Sequence, residues 1–376
     1  MAAPRVLCFG RFSDATPGGI QRHVEHLLNG LKDQVDFVNL VPSRTWRSET
    51  SERFGVPTVA RAGINVDGSM VLSPGLPFSA RTLHRQKPFD LVHLHFPDPM
   101  SHLAAMALPA VPRVITWHAD IFRHRAALRL YQPFLRRAAE TAAAIIVPTQ
   151  AHIDNSPVLS VLPDKGKIRI IPFGFDLERF TRPAQGLAGL RRRFPGRIVF
   201  SLGRHVYYKG FDVLLKAIAR LPADVSLVLG GTGPLTAELQ DLAARTSIGG
   251  RVHFVGLVDD DALPAYYQLC DVFCLPAVSR AEAFGIVQVE AMAAGRPVIS
   301  TKLGNGVDLV NRDGETGFTV EPGDPQALAD ALSRLLDDPG AAAELGRTGR
   351  ERALTEYGLE RMARETLDTY RDVLGR

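Results

Sequence analysis

Apolar residues fall in short β-branched runs separated by stretches in which they recur at helical spacing. Runs and helical stretches alternate along almost the whole chain, which predicts parallel sheets joined by crossover helices, an α/β protein. In the first half the pattern predicts strands at Val6–Phe9, Val35–Val41, Leu91–His95, Arg113–Trp117, Ala144–Val147 and Ile168–Ile171. A second set begins at Ile198–Leu202 and continues with Ser226–Leu229, Val252–Val255, Val272–Leu275, Pro297–Ser300 and Gly317–Val320. Each set reads as a doubly wound sheet. Between them Pro172, Pro183 and Pro195 alternate with Gly174, Gly186 and Gly196, a composition that predicts a linker with one short helix. The expected division is a first domain over 1–175, a linker over 176–196 and a second domain over 197–358. The remaining 359–376 carries Leu359, Met362, Ala363, Thr366, Leu367, Tyr370 and Leu374 at helical spacing, so it is expected to form a docking helix.

A length of 376 residues suits two domains, and 45% hydrophobic with 22% charged residues is the balance of a folded protein. Disordered, collagen-like and low-complexity classes are excluded. Apolar runs such as Ala104–Val111 fall far short of the roughly 18 residues of a membrane span. The apolar run after Arg5 is too short for the core of a secretory signal, so a cytoplasmic location is expected. Cys8, Cys270 and Cys274 lie in segments that read as core, which argues against a disulfide framework. Charge changes the picture more. Residues 1–175 hold 20 Lys and Arg against 13 Asp and Glu, whereas the rest of the chain holds 24 against 27. A basic half of this kind suits an anionic partner, either a phosphate-bearing substrate or a membrane surface. No nucleic-acid module is present, and nucleic acid is not expected as a partner.

Open parallel sheets bind ligands outside the carboxyl ends of their strands, so the residues following each strand carry the functional information. Two such sheets in tandem are expected to face a central cleft. After the first strand, a loop ends in Gly18 and Gly19 at the start of a helix. Their backbone amides suit an anion, and a plain turn is the competing reading. In the second half Arg204 follows a strand and Lys209-Gly210 opens the next helix, a spacing that lets two cations converge on a diphosphate or leaves them as solvated loop charges. Gly230-Gly231-Thr232-Gly233 again lies between strand and helix. The most informative segment runs from Arg280 to Ile299. There Glu282 precedes Phe284-Gly285-Ile286-Val287, and Glu290 lies about one turn into the helix that follows. Two carboxylates beside a helix N-terminus can accept hydrogen bonds from sugar and ribose hydroxyls while free amides hold a phosphate.

The Glu-x7-Glu segment closing in Glu-Ala-Met-Ala-Ala-Gly-Arg-Pro-Val-Ile, the Gly-Arg with a following Lys-Gly, and the early Gly-Gly together resemble family 4 of the retaining glycosyltransferases. The resemblance spans nearly the whole chain in motif order. It implies the GT-B fold of two Rossmann-like domains, an acceptor site mostly on the first and a nucleotide-sugar donor site mostly on the second, with no cofactor and no essential metal. Carried over, Arg204 and Lys209 hold the donor diphosphate, Glu282 meets donor-sugar hydroxyls and Glu290 takes the ribose. The amides of Phe284, Gly285, Ile286 and Val287 line phosphates and sugar, with Gly231 nearby, and Gly18 and Gly19 close on the phosphate from the first domain. Trp117-His118-Ala119-Asp120 resembles the family's histidine-bearing loop, which makes His118 the expected catalytic histidine and places Trp117 and Asp120 on the acceptor side.

Two other clusters invite a metal reading. Asp259-Asp260-Asp261 precedes a helix and is expected to cap it. His93 and His95 share one face of a strand and approach His118 in the order of the fold, but no further ligand is identifiable, so no metal site is expected. Arg123, Arg125, Arg129, Arg136 and Arg137 are interleaved with Leu128, Leu130, Phe134 and Leu135 just after the His118 loop. This stretch reads equally as a solvated helix face or as a surface for anionic lipid headgroups, and its position beside the acceptor site favours the lipid. The expected activity is transfer of a hexose, with retention, from a nucleoside-diphosphate sugar to a hydroxyl of a glycan or lipid-linked glycan. The wording Ala-Glu-Ala-Phe-Gly-Ile-Val-Gln resembles bacterial surface-polysaccharide enzymes that use GDP-mannose or a related GDP-sugar. A UDP-hexose transferase, a sugar-nucleotide epimerase and a non-catalytic nucleotide-sugar-binding protein are the alternatives, and a peripheral position on the inner face of the cytoplasmic membrane is the expected location.

Overall fold

The computed structural model describes residues 3–10, 19–66, 71–108, 110–118, 125–246 and 248–375, with backbone alone for 125–130. The chain divides into two compact units, Met1–Phe175 with Gly358–Arg376, and Asp176–Tyr357.

The first unit is built on β1 (Arg5–Phe9), β2 (Asp36–Pro42), β3 (Glu49–Arg53), β4 (Val56–Arg61), β7 (Leu91–Phe96), β8 (Arg113–Trp117), β9 (Ala144–Val147) and β10 (Ile168–Ile170), with a separate two-residue pair β5 (Ile64–Asn65) and β6 (Val71–Leu72). The main sheet runs β10-β9-β8-β7-β1-β2-β4-β3, parallel except for β3 against β4. Its central parallel strands, β1, β7, β8 and β9, are buried on both faces, which is why they read as continuous apolar runs. One face packs Leu7, Phe9, Leu94, Phe96 and Trp117 into a core. The other packs Val6, Cys8, Leu91 and Val114 under Val24, Leu27, Leu28 and Leu31 of the helix Gly19–Leu31 and under Met362, Ala363, Leu367 and Tyr370 of the helix Leu359–Leu374. The C-terminal helix therefore belongs to the first unit.

The second unit contains β11 (Arg197–Leu202), β12 (Val225–Gly230), β13 (Val252–Gly256), β14 (Val272–Leu275), β15 (Val298–Thr301) and β16 (Gly317–Val320), all parallel in the order β13-β12-β11-β14-β15-β16. This is the doubly wound order in which the chain direction across the sheet reverses beside the first strand, here β11 next to β14. The loops after β11 and β14 leave the sheet side by side at that switch point, where such sheets bind ligands.

Two expectations need correction. The segment 176–196 is part of the second unit, with helices Glu178–Thr181 and Leu187–Arg193. Phe180 is buried there against Tyr267, and Gln268 holds the carbonyls of Phe180 and Arg182. The proline and glycine content that suggested a linker shapes short turns around those helices. In addition, β3 and β4 were not expected. β3 is an exposed polar strand, Glu-Thr-Ser-Glu-Arg, and Pro57 interrupts β4, so neither shows an apolar run. The three cysteines are free and buried, and burial pushes the Cys8 and Cys270 thiols up to about 12. They stay protonated and pack as small apolar groups.

Candidate active site

At the switch point of the second unit, β11 ends at Leu202 and Gly203-Arg204 turns into the single helical turn Tyr207–Lys209. Arg204 is exposed. The Lys209 ammonium reaches the loop after β14, where its Nζ lies 2.5 Å from Glu282 Oε2, each side chain only 11% exposed. The sequence places these two residues at different loops with different ligands; the fold brings them into one ion pair. Gly231, after β12, has φ +107, and a Cβ there would lie 1.9 Å from the Gly203 carbonyl oxygen. Only glycine lets the β12 loop press on the Arg204 loop.

Glu282 is held from behind. Its carbonyl accepts from Asn305 Nδ2 at 2.7 Å, and Arg280 Nε donates to the Leu303 carbonyl, so the loop after β15 fixes the loop after β14. Gly285 then takes φ +70 as the N-cap of the helix Ile286–Ala293. A Cβ there would sit 2.6 Å from Leu275 and 2.7 Å from Gln288. The first-turn amides of Ile286 and Val287 have no preceding carbonyl to bond and carry the positive end of the helix dipole. Phe284 is buried, whereas Ile286 is exposed. One turn on, Glu290 Oε2 accepts from the Tyr267 hydroxyl at 2.7 Å. Burial first, and the Glu290 charge second, hold the Tyr267 phenol well above its ordinary pKa, so it remains a donor. Neither Asn305 nor Tyr267 carries a motif that sequence reading could have used. None of the aspartates 259–261 occupies the N-cap of the helix Leu263–Leu269. Ala262 occupies the N-cap, and the Asp259 backbone carbonyl accepts from Ala262 and Leu263 instead.

In the first unit His118 follows β8, its amide bonded to the Phe96 carbonyl of the neighbouring strand. Its ring stacks on Phe173 and meets His23 edge-on, with centroids 5.3 and 4.7 Å away. His118 Nε2 lies 3.1 Å from His95 Nδ1. Of the two histidines on β7, His95 meets His118 and His93 turns to other partners. His93 Nδ1 is 2.6 Å from the Tyr370 hydroxyl, and its Nε2 is 2.8 Å from Thr116 Oγ1. His23, which no motif marks, takes its place. Burial in this layer pushes His23 and His93 down to about 3 and His95 well below the ordinary value, with neighbouring histidines adding to the shift. These imidazoles are neutral near pH 7.

Trp117 is 1% exposed and its ring packs on Phe96 in the core. Gly19 opens the helix Gly19–Leu31 at an exposed position. Gly18, Asp120 and Arg123 lie outside the described residues, as do the side chains of Arg125 and Arg129. Arg136 and Arg137 are exposed on the helix Arg125–Thr141.

The sequence matches the family described as glycosyl transferases group 1 over residues 191–352 and the one described as glycosyltransferase family 4 over 17–179. It is similar to the D-rhamnosyltransferase WbpZ of Pseudomonas aeruginosa, 36% identical over 265 residues, covering 70% of this chain and 68% of that protein. It is also 30% identical over 303 residues to O-antigen chain mannosyltransferase C of Escherichia coli, covering 79% of this chain and 80% of the relative. Among solved structures, that of Anabaena HepE in complex with UDP shares the fold with a TM-score of 0.78 at 20% identity, covering 98% of this chain and all of that one. With both halves matched in order and two doubly wound units that carry the motif residues at their strand ends, the chain belongs to the family 4, group 1 glycosyltransferases of GT-B fold and is a glycosyltransferase.

Proposed function

We propose that the protein transfers a hexose, mannose or a related sugar, from a GDP-sugar to a hydroxyl of a glycan or lipid-linked glycan, with retention at the anomeric carbon and without a metal. The observation that carries this reading is the convergence at one switch point of Lys209, Glu282, the Gly285 helix N-terminus and Glu290. Two cations facing a departing diphosphate do what a metal does in other transferases, and they act most strongly as charge develops in the transition state. Departure and attack on the same face then leave little for a separate base to do. Lys209 and Arg204 stabilise the leaving group, Glu282 orients the sugar hydroxyls, Glu290 holds the ribose and first-turn amides bind phosphate. His118 is the catalytic histidine.

The relatives named as rhamnosyl- and mannosyltransferases support a hexose and surface-glycan chemistry. A UDP-hexose is the competing donor. A panel of GDP- and UDP-sugars tested by thermal shift decides between them, since a donor at 100 times its Kd adds about 2.7 kcal/mol of stability. Stabilisation by GDP-mannose, transfer that survives excess EDTA and an anomeric configuration kept in the product are expected. Selective stabilisation by UDP-hexoses, abolition by chelator with rescue by magnesium or manganese, or inversion would each overturn the corresponding part.

A further inference from the structure

The histidines around His118 have a geometry that the transfer reaction does not require. His23, His95 and His118 offer ring nitrogens that all lie within 4.8 Å of one another. His95 Nδ1 and His118 Nε2 are 3.1 Å apart. Two nitrogens on one tetrahedral zinc, each about 2.0–2.1 Å from the metal, stand about 3.3 Å apart. The pair is thus spaced as a hydrogen bond and, with little adjustment, as two ligands of one ion. His23 Nδ1 is buried with no hydrogen-bond partner. Buried polar atoms are almost always satisfied, and an imidazole nitrogen left without a partner beside two others is available as a third ligand.

The scaffold favours the same arrangement. His95 sits on β7 and His118 follows β8, adjacent strands in fixed register with His95 opposite Thr116. His23 comes from the helix that covers them. The other ring nitrogen of His95 points at Cys8 Sγ, 3.6 Å away. That contact directs the His95 ring and leaves Nδ1 for the metal, as the outer partners of metal-bound histidines do. His93 is excluded as a ligand because Tyr370 and Thr116 occupy both its nitrogens. Three imidazoles, with no carboxylate among the described residues of the cluster, select a zinc-class ion over magnesium or calcium, which take oxygen ligands. A three-histidine set also leaves a fourth position for water.

We propose that His23, His95 and His118 form a binding site for a zinc-class divalent ion, and that occupancy withdraws His118 from the transfer reaction. The second clause rests on the reading of His118 as the catalytic histidine; the first does not. On binding, whichever of His95 and His118 donates the hydrogen between them changes tautomer, so that this hydrogen moves to the ring nitrogen facing away from the metal and both rings stay neutral with a lone pair on the ion. Zinc is then a reversible inhibitor of an enzyme that works without a metal.

Cobalt(II) titrated into the full chain reads the site directly, because tetrahedral cobalt absorbs strongly in the visible and the hydrated ion does not. One cobalt per chain with a tetrahedral spectrum, displaced by equimolar zinc, is expected. His23→Gln is the diagnostic variant, since it keeps a polar group at the least buried of the three positions. Loss of a supporting residue outside the ligand set costs 10–100-fold in metal affinity, so loss of a ligand is expected to cost at least about 100-fold. His253→Gln in the second unit controls for adventitious histidine binding and is expected to change nothing. A six-coordinate spectrum, or a folded His23→Gln protein that binds as tightly as the parent, overturns the site. Inhibition of transfer by zinc, relieved by EDTA and weakened in His23→Gln by the same factor as binding, supports the regulatory clause. Turnover untouched at saturating zinc overturns that clause alone. His118→Ala separates the two readings, because unchanged turnover there removes His118 from the reaction without altering the cobalt result.

Discussion

Lys209 Nζ and Glu282 Oε2 stand 2.5 Å apart with both side chains almost wholly buried. In the free protein the carboxylate compensates the cation. On the proposed reading, an arriving diphosphate gives the Lys209 ammonium a second and stronger counter-charge and frees Glu282 to accept from sugar hydroxyls, so that the pair would couple donor binding to the group that orients the sugar. Arg204 is exposed at the end of the same strand.

The two cations are accordingly expected to separate under substitution. Either Lys209→Ala or Arg204→Ala removes a donor facing the developing charge and costs about 3 kcal/mol in the transition state, on the order of a hundredfold in turnover. Lys209→Ala also strands a buried carboxylate and is expected to lower stability by about 3 kcal/mol. Arg204→Ala, at an exposed position, is expected to change stability by no more than about 0.5 kcal/mol. Turnover at saturating donor and thermal unfolding of both variants check this. Equal loss of stability would show that the pair is not the distinguishing feature, and near-native turnover in either variant removes that residue from the role.

Glu282 and Glu290 are expected to differ in kind. Glu282→Gln should lower kcat, because its partner is the sugar whose charge changes during reaction. Glu290→Gln should mainly raise the donor KM, since ribose contacts are alike before and during the chemical step. Tyr267→Phe deletes the hydroxyl that holds Glu290 and is expected to reproduce the Glu290 effect more weakly, about tenfold in KM for one hydrogen bond to a charged group. A Tyr267→Phe enzyme with lowered kcat and unchanged KM would contradict the assignment.

Residues that act through their own loop were legible in the sequence. Buried parallel strands write themselves as apolar runs, and the residues that follow them, Arg204, Lys209 and Glu282 with Glu290 in the next helix, stand out directly. What the sequence hid are relationships across the fold. The Lys209–Glu282 pair joins loops after β11 and β14, whose adjacency follows from the strand order. Tyr267 lies in an apolar helix with nothing to mark its hydroxyl as aimed at Glu290. His93 and His95 share a strand face in the sequence pattern, yet Tyr370 from the far end of the chain captures His93 and leaves His23 to join His118. Strand alternation fixes a face; it does not say what is laid over it.

Acid is expected to weaken the first unit through His102. Burial, with the nearby Arg113 charge adding to it, pushes this imidazole down to about 4, and its Nδ1 lies 3.0 Å from the Tyr131 hydroxyl. Burial and the Asp98 charge raise the Tyr131 phenol, so it stays protonated and donates. Since His102 titrates near 6.5 in the unfolded chain and near 4 in the folded one, unfolding takes up a proton between those values. Its stabilising contribution is fully present above about pH 6.5 and is lost as pH falls toward 4, with a slope approaching 1.4 kcal/mol per pH unit. His102→Gln cannot titrate and is expected to lower the slope over that window by about 1.4 kcal/mol per pH unit, leaving the share of His23, His93 and His95, which burial also holds below their ordinary value. An unchanged slope would show that other groups carry it.

The basic helix Arg125–Thr141 is expected to bring the enzyme reversibly to anionic membranes, where a lipid-linked acceptor resides. Phe134 is 54% exposed between buried Leu135 and the exposed Arg136 and Arg137, so the outer face carries both an apolar anchor and cations. Met106, 48% exposed, lines the same surface hollow as Phe134 and Arg137 and extends the apolar part. Each arginine near an anionic surface contributes about 1 kcal/mol, enough together for useful attachment and too little to survive screening. The Debye length falls from about 10 Å at 0.1 M salt to about 3 Å at 1 M, which makes salt the natural test. Co-sedimentation with vesicles rich in phosphatidylglycerol should be strong at low salt and weak at high salt. It should fall when Arg129, Arg136 and Arg137 become Gln together, and Phe134→Ser should reduce binding without changing its salt dependence. If the triple variant binds as well as the parent, the helix presents only a solvated face, and an acceptor free in solution becomes the better reading.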